Sequence, residues 1–219
     1  MRISTLPDSS RGVDVNRPIT AAQAAAFVAK GDTFACRYIV RQHVNPYDLS
    51  VSERDIILDA GLGLQIVQHV APPDWVPTSD LGKQYGDTAV NALVALGILP
   101  GVSVWVDLEG VRDTTPHADV IAFSNNWFAA VKAAGYKEGA YIGFHCGLTP
   151  DEQYHELTCG AYWSAFTNNS DDGPVIRGFQ MYQHAAKASD LISGFTNQDM
   201  DCDTIRADAM AGTPTLLFA

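Results

Sequence analysis

Two hydrophobic periods alternate along this chain. Short runs rich in β-branched and aromatic residues recur at residues 12–15, 34–40, 64–70, 103–109, 139–144, 161–165, 178–183 and 199–202. Between them lie stretches rich in Ala, Leu and Val with helical spacing, at 20–30, 52–60, 83–96, 118–134, 150–157 and 204–210. The first helix opens on a capping box, with Thr20 three residues before Gln23, and Ser52 with Asp55 is expected to cap the second. Several helices stop in the same way, at Lys30-Gly31, Ala60-Gly61, Leu96-Gly97 and Ala134-Gly135, and a strand follows within about eight residues. A repeated strand–helix unit implies a parallel sheet. Eight such units fit an α/β fold closed as a single compact (β/α)8 TIM barrel, occupying residues 12–219 behind a polar N-terminal segment, residues 1–11. No Gly-rich phosphate loop follows the first strand, which argues against a nucleotide-binding doubly wound sheet.

A chain of 219 residues with 47% hydrophobic and 18% charged residues has the composition of a globular domain, not of a disordered one. Its net charge of −11, from 25 acidic and 14 basic residues, would repel nucleic acid and anionic lipid surfaces. Nucleic-acid partners and membrane insertion are therefore not expected, and the sequence is silent on oligomeric partners. The polar start and the lack of a long apolar run predict neither a secretory signal nor a spanning helix in this chain, so action at a cell wall would need phage release, virion attachment or a non-classical route. Cys36, Cys146, Cys159 and Cys202 show no CxxC pair; most of them read as buried free thiols, with Cys146–Cys159 the only disulfide worth considering. The histidines form no HxH or HExxH pattern and no GxSxG elbow occurs, so neither a metal, a cofactor nor serine acyl chemistry is expected.

Barrel enzymes carry their chemistry at the C-terminal ends of the strands. The run Ser103-Val104-Trp105-Val106-Asp107-Leu108-Glu109 is the most informative. By strand alternation Val104, Val106 and Leu108 face the helices, while Trp105, Asp107 and Glu109 face the barrel axis. Two carboxylates two residues apart then share one face, and repulsion with burial should raise the proton affinity of one of them. A protonated acid beside an ionised carboxylate is the requirement of glycosidic bond cleavage. Asp14, between Val13 and Val15, should also point inward, either toward the same site or into a salt bridge with Arg37. Other strand ends offer Arg37, Tyr38, Gln68, His69, Tyr141, His145, Trp163, Gln180, Tyr182 and Asp201, an aromatic and amide-rich set suited to a sugar.

Taken together, Gly12-Val13-Asp14, Arg37-Tyr38-Ile39, Ala60-Gly61-Leu62 with Ile66-Val67-Gln68, Val104 to Glu109, and Ala134-Gly135-Tyr136 with Gly139-Ala140-Tyr141 resemble the glycoside-hydrolase-like family catalogued as domain of unknown function 1906. The resemblance runs from about residue 12 to about residue 205. That family occurs in actinobacteria and other bacteria and in their phages, and it is related to the glycoside hydrolase family 25 lysozymes, which are barrels that cut peptidoglycan. The resemblance implies Glu109 as proton donor, with Asp107 and Asp14 as the accompanying acids and a late acid at Asp201 or Asp199. It implies a glycosidase acting on the polysaccharide of the bacterial cell wall. The alternative is a barrel that keeps the glycan pocket as a binding module, in a wall-associated or phage-tail complex, with little or no turnover; a different barrel hydrolase or an isomerase is a third.

Overall fold

The computed structural model describes residues 1–69, 71–169, 172–210 and 212–219. Eight strands close on themselves: β2 (Arg11–Val15), β3 (Phe34–Ile39), β4 (Gly63–Gln68), β5 (Ser103–Leu108), β6 (Lys137–Ile142), β7 (Ala161–Ser164), β8 (Met181–His184) and β9 (Met200–Ile205). Helices α1 (Ala21–Ala29), α2 (Val51–Asp59), α3 (Ser79–Ala95), α4 (His117–Ala133) and α5 (Pro150–His155) occupy the connections from β2 to β7. The third predicted strand reached Val70, which lies outside the described residues; β4 itself ends at Gln68.

The capping box at Thr20 and Gln23 forms in full, and a second closes α5 between Thr149 and Glu152. The second helix is capped by Ser50, not Ser52: the Ser50 hydroxyl accepts from the Glu53 amide, which starts the helix two residues early and aims Glu53 at the barrel wall. Gly31 and Gly61 sit at φ +89° and +90°, the left-handed turn that ends a helix and that a side chain would strain.

Strands β2 to β8 run parallel, but β9 is antiparallel to both β8 and β2, so the expectation of eight parallel strands is corrected at the last one. The reason lies in the connection. A parallel return needs a crossover of a dozen residues or more, usually a helix. The stretch 185–199 instead forms turns, so the chain re-enters the sheet from the end at which β8 left it. The helix expected at 204–210 is likewise absent: β9 continues to Ile205, paired with Met181, and Asp208 then gathers the amides of Met210 and Gly212 into a turn. Residues 2–5, within the polar N-terminal segment, form β1 (Arg2–Thr5), antiparallel to β10 (Thr215–Phe218), which joins β4 at Leu64.

Strand alternation divides the core in two. Val13, Val15, Ile66, Val104, Val106 and Leu108 pack outward against the helices. Phe34, Cys36, Val67, Trp105, Trp163, Met181 and Ile205 fill the barrel axis, and Leu216 with Leu6 and Phe218 closes its lower end. Trp105 and Trp163 meet edge to face at 5.9 Å and floor the upper half. All four cysteines are free and buried. Among the described residues no helix is long and apolar enough to cross a membrane.

Candidate active site

The upper end of the barrel opens into a cavity of about 840 Å³. Its walls bear five carboxylates, Asp14, Asp107, Glu109, Asp199 and Asp201, and the aromatic rings of Tyr38, Tyr141 and Trp163. Asp199 lies in the turn before β9, paired with Arg17 at 3.6 Å; each of the others is on the inward parity of its strand: Asp14 on β2, Tyr38 on β3, Asp107 and Glu109 on and just past β5, Tyr141 on β6, Trp163 on β7 and Asp201 on β9. Because β9 runs downward, Asp201 lies at the mouth opposite Asp14 and Asp203 lies one step deeper, opposite Gly12.

Asp14 is buried and held from two sides. Tyr38 donates its hydroxyl to Oδ1 at 3.1 Å and the Gln183 amide donates to Oδ2 at 2.9 Å. Gln183 in turn accepts from the Tyr141 hydroxyl at 3.0 Å. Burial, reinforced by the neighbouring Asp201 charge, still outweighs these bonds and pushes Asp14 up to about 6. Asp203 takes the Trp163 indole N–H at 2.9 Å, while its Oδ2 is buried with no hydrogen-bond partner among the described residues. Burial and the Asp14 charge raise its proton affinity well above the usual carboxylate range.

Asp107 is also buried, with Oδ1 unpartnered. Desolvation first, then the charges of Glu109 and Asp14, raise it well above the ordinary value, with Arg41 opposing. Glu109 is half-buried; desolvation raises it too, against a hydrogen bond from the Phe144 backbone. Gly143, just past β6, makes room for Glu109, since a methyl there would overlap its Cβ and Oε2.

The remaining predicted residues separate by parity. Arg37 is fully buried outside the barrel, between β3 and α2, where its Nε bonds Glu53 at 2.6 Å and its other nitrogens reach the carbonyls of Val15 and Tyr47. It neither pairs with Asp14 nor reaches the pocket. Gln68 also faces outward, donating to the Val40 and Tyr85 carbonyls and accepting from the Trp127 indole. Gln180 bridges the Tyr162 amide and the Gly178 carbonyl outside the barrel, and Tyr182 packs on Phe179. His145 is exposed at φ +53°, paired with Asp113 at 2.8 Å, in a side cleft. His69 stacks on Tyr38 at 4.9 Å and bonds Asp48, so it reaches the pocket as a wall.

Several residues of the site, Asp203 beneath the cavity and others lining it, escaped the sequence reading. Asp203 and Gln183 lie at inward positions of strands whose direction or register was not foreseen. Tyr47, Phe144 and Phe166 are loop aromatics, 46%, 60% and 52% exposed, placed around the rim. The arrangement offers proton-holding carboxyls at graded depth, a polar floor and flat apolar rim surfaces. Among the described residues no group of three or more His, Cys, Asp and Glu side chains is arranged to hold a metal.

Solved structures share this architecture at low identity. The Mycobacterium tuberculosis Tat-secreted protein Rv2525c superposes with a TM-score of 0.64 at 15% identity, covering 90% of this chain and 95% of that one. A bacterial lysozyme from Streptomyces coelicolor gives 0.60 at 13% identity, covering 94% and 95%. The catalytic domain of endolysin ply40, from bacteriophage P40 of Listeria monocytogenes, gives 0.61 at 16% identity, covering 91% and 94%. No curated protein matches the sequence. The model of the Rv2525c-like, glycoside hydrolase-like domain matches residues 25–201, from α1 into β9, a span that includes Asp107, Glu109 and Asp201. The chain belongs to that glycoside-hydrolase-like family.

Proposed function

We propose that the protein hydrolyses a glycosidic bond of bacterial cell-wall glycan, with peptidoglycan as the substrate. The observation that carries this reading is the convergence of Asp14, Asp107 and Glu109 on one cavity, each with raised proton affinity and bounded by Tyr38, Tyr141 and Trp163. Glu109, at the lip, delivers its proton to the leaving oxygen as the bond from the anomeric carbon breaks. Asp107 lies deeper, where it faces the ring that gains oxocarbenium character or orients an acetamido group for internal attack. Asp14, fixed by Tyr38 and Gln183, positions the site and balances its charge. Water adds to the anomeric carbon and its proton restores the Glu109 carboxyl. Arg37, Gln68, Gln180, Tyr182 and His145 have no place in this pocket; Tyr38, Tyr141, Trp163 and Asp201 have. The lysozymes and the endolysin that share the fold support the choice of glycan.

The test is release of reducing ends from peptidoglycan. Glu109→Gln keeps shape and hydrogen bonding but has no proton to give, so the rate should fall roughly 10²–10⁴-fold while glycan binding persists. A wild-type protein that binds wall preparations and releases no reducing ends from any of them is a glycan-binding barrel, and the hydrolase reading then fails.

A further inference from the structure

Among the described residues that line the main cavity, His69 is the only histidine. It lies one residue past β4, and its amide donates to the Ile39 carbonyl at 3.2 Å, which extends the β3–β4 ladder by a step. Side chains alternate along a strand, so His69 shares the inward parity of Val67 and stands over the barrel mouth. Its ring has two neighbours of different kinds. One face stacks on Tyr38, with centroids 4.9 Å apart and planes 27° from parallel. Its edge reaches Asp48, with Nε2 2.8 Å from Oδ1.

Each neighbour carries part of the site. The Tyr38 hydroxyl donates to Asp14, and burial raises the phenol well above its usual range, so it remains a donor. Asp48 ends a tight turn in the loop of residues 40–50, which joins β3 to α2 and lays Asn45 and Tyr47 along the cavity. Its Oδ2 accepts from the Asn45 amide at 2.7 Å, and its own amide donates to the Asn45 carbonyl at 2.9 Å. The far end of the loop is anchored elsewhere: Leu49 is buried in the outer core, and the Tyr47 carbonyl accepts from Arg37 at 2.8 Å. The turn from Asn45 to Asp48 is drawn onto the cavity wall by the His69–Asp48 bond, with the Arg17 guanidinium 5.8 Å over the Tyr47 ring. Burial lowers the proton affinity of His69; Asp48 opposes this, and Arg37 and Arg41 add to it. The ring is therefore neutral at neutral pH, and because a carboxylate can only accept, its hydrogen sits on Nε2.

We propose that His69 is a positioning residue with two separable duties: its ring holds the Tyr38 hydroxyl on Asp14, and its Nε2–H holds the loop of residues 40–50, with Tyr47, against the cavity as a wall for the substrate. The proposal rests on the hydrolase reading for its meaning in turnover and assigns the two duties to different steps. The Tyr38 bond favours the charged form of Asp14, so it acts on the carboxyls that do the chemistry. The loop contributes surface at the rim, so it acts on binding.

Two substitutions separate the duties. His69→Phe keeps a flat ring for Tyr38 and removes the donor to Asp48. His69→Gln keeps an N–H within reach of Asp48 and removes the ring. Three measurements follow each protein: carbon-13 titration of the Asp14 carboxyl, assigned with Asp14→Asn; amide hydrogen exchange over residues 42–48; and kcat and KM for reducing-end release from peptidoglycan. In His69→Gln the Asp14 midpoint should move to higher pH, because a bond to its charged form is weakened, while loop exchange stays native. Its kcat should fall about tenfold or more with KM little changed. In His69→Phe the Asp14 midpoint should stay in place and loop exchange should quicken about five- to tenfold, the loss of one hydrogen bond. Its KM should rise with kcat little changed. An Asp14 midpoint unmoved in His69→Gln, or loop exchange unmoved in His69→Phe, overturns the proposal. So does a pair of variants that alter both readouts alike, which would make His69 an ordinary packing residue. A wild-type protein without turnover overturns the hydrolase reading alone, and the carboxyl titration and the exchange rates still decide the role of His69.

Discussion

Asp14 should make the protein more stable in mild acid than at neutral pH. Its side chain is 4% exposed, and its proton affinity rises from the ordinary 3.8 to about 6, mainly because burial disfavours the charge. The folded state thus holds this proton more tightly than the unfolded chain. The associated stability is complete below the unfolded value and is lost as pH rises through about 6. Between pH 7.5 and pH 5 the linkage amounts to about 1.4 kcal/mol for this one group, or roughly 3–6 °C in midpoint for a chain of this length. Asp107, Glu109, Asp201 and Asp203 are raised too and act in the same direction. His69 and His184 are lowered by burial, so their share of stability falls on acidification and opposes the trend. Asp8, Glu152, Asp199 and Asp208 are lowered, and their contributions fade only below the ordinary carboxylate range, outside this window. Asp14→Asn isolates the group. It disturbs the bond from Gln183, which shifts stability at every pH, so the informative quantity is the change of stability with pH. Thermal unfolding of both proteins at pH 5 and pH 7.5 should show the wild type gaining at least about 1.4 kcal/mol more than the variant on acidification. The figure is a floor, because the substitution also removes a charge that raises Asp107 and Asp203. Equal pH slopes would refute the buried, proton-holding Asp14.

Asp107→Asn should slow the hydrolysis and, by removing a like charge beside Glu109, move the alkaline limb of the pH–rate profile to lower pH; a limb that stays in place would show that Asp107 carries no charge while Glu109 titrates. Gly143→Ala should push Glu109 aside and cut the rate of reducing-end release while the far-ultraviolet spectrum stays native, and an unchanged rate would release Glu109 from its assigned place. Glu53→Ala strands the fully buried Arg37 and should cost about 3–5 kcal/mol in denaturant unfolding, where a loss below 1 kcal/mol would mean that the Val15 and Tyr47 carbonyls suffice for the guanidinium.

The barrel was legible because its repeating unit is local. Helix caps such as Thr20 and helix stops such as Gly31 and Gly61 act within a turn or two of the chain, and alternation along Val104 to Leu108 correctly placed three residues under the helices and Trp105 on the axis. What the sequence hid was connection. Nothing within 199–205 records whether the strand runs up or down; that is decided by the turns of 185–199, which carry no helix to bring the chain back. The same blindness concealed β1 and β10, whose pairing joins residues more than two hundred positions apart.

Within the site, alternation had more to say than position at a strand end. Arg37 and Tyr38 are neighbours in sequence, as are Gln68 and His69, and one member of each pair must face the helices whenever the other faces the pocket. Asp14, on the axis from β2 and in register with Cys36, sets the parity of β3, so Tyr38 belongs inside and Arg37 outside. Arg37 aligns with Ile66, which puts Gln68 outside on the same count. The outward polar groups are then free to do structural work. Arg37 takes Glu53 from α2, and Gln68 takes the Trp127 indole from α4, so each ties the barrel wall to a helix. Reversing the direction of β9 applies the same logic to the last acids: Asp201 comes to the mouth opposite Asp14, and Asp203 follows two residues deeper on the same face. A charged or amide residue at a strand end therefore marks a pocket only once its parity and the strand's direction are both known, and direction is the one of the two that local sequence does not encode.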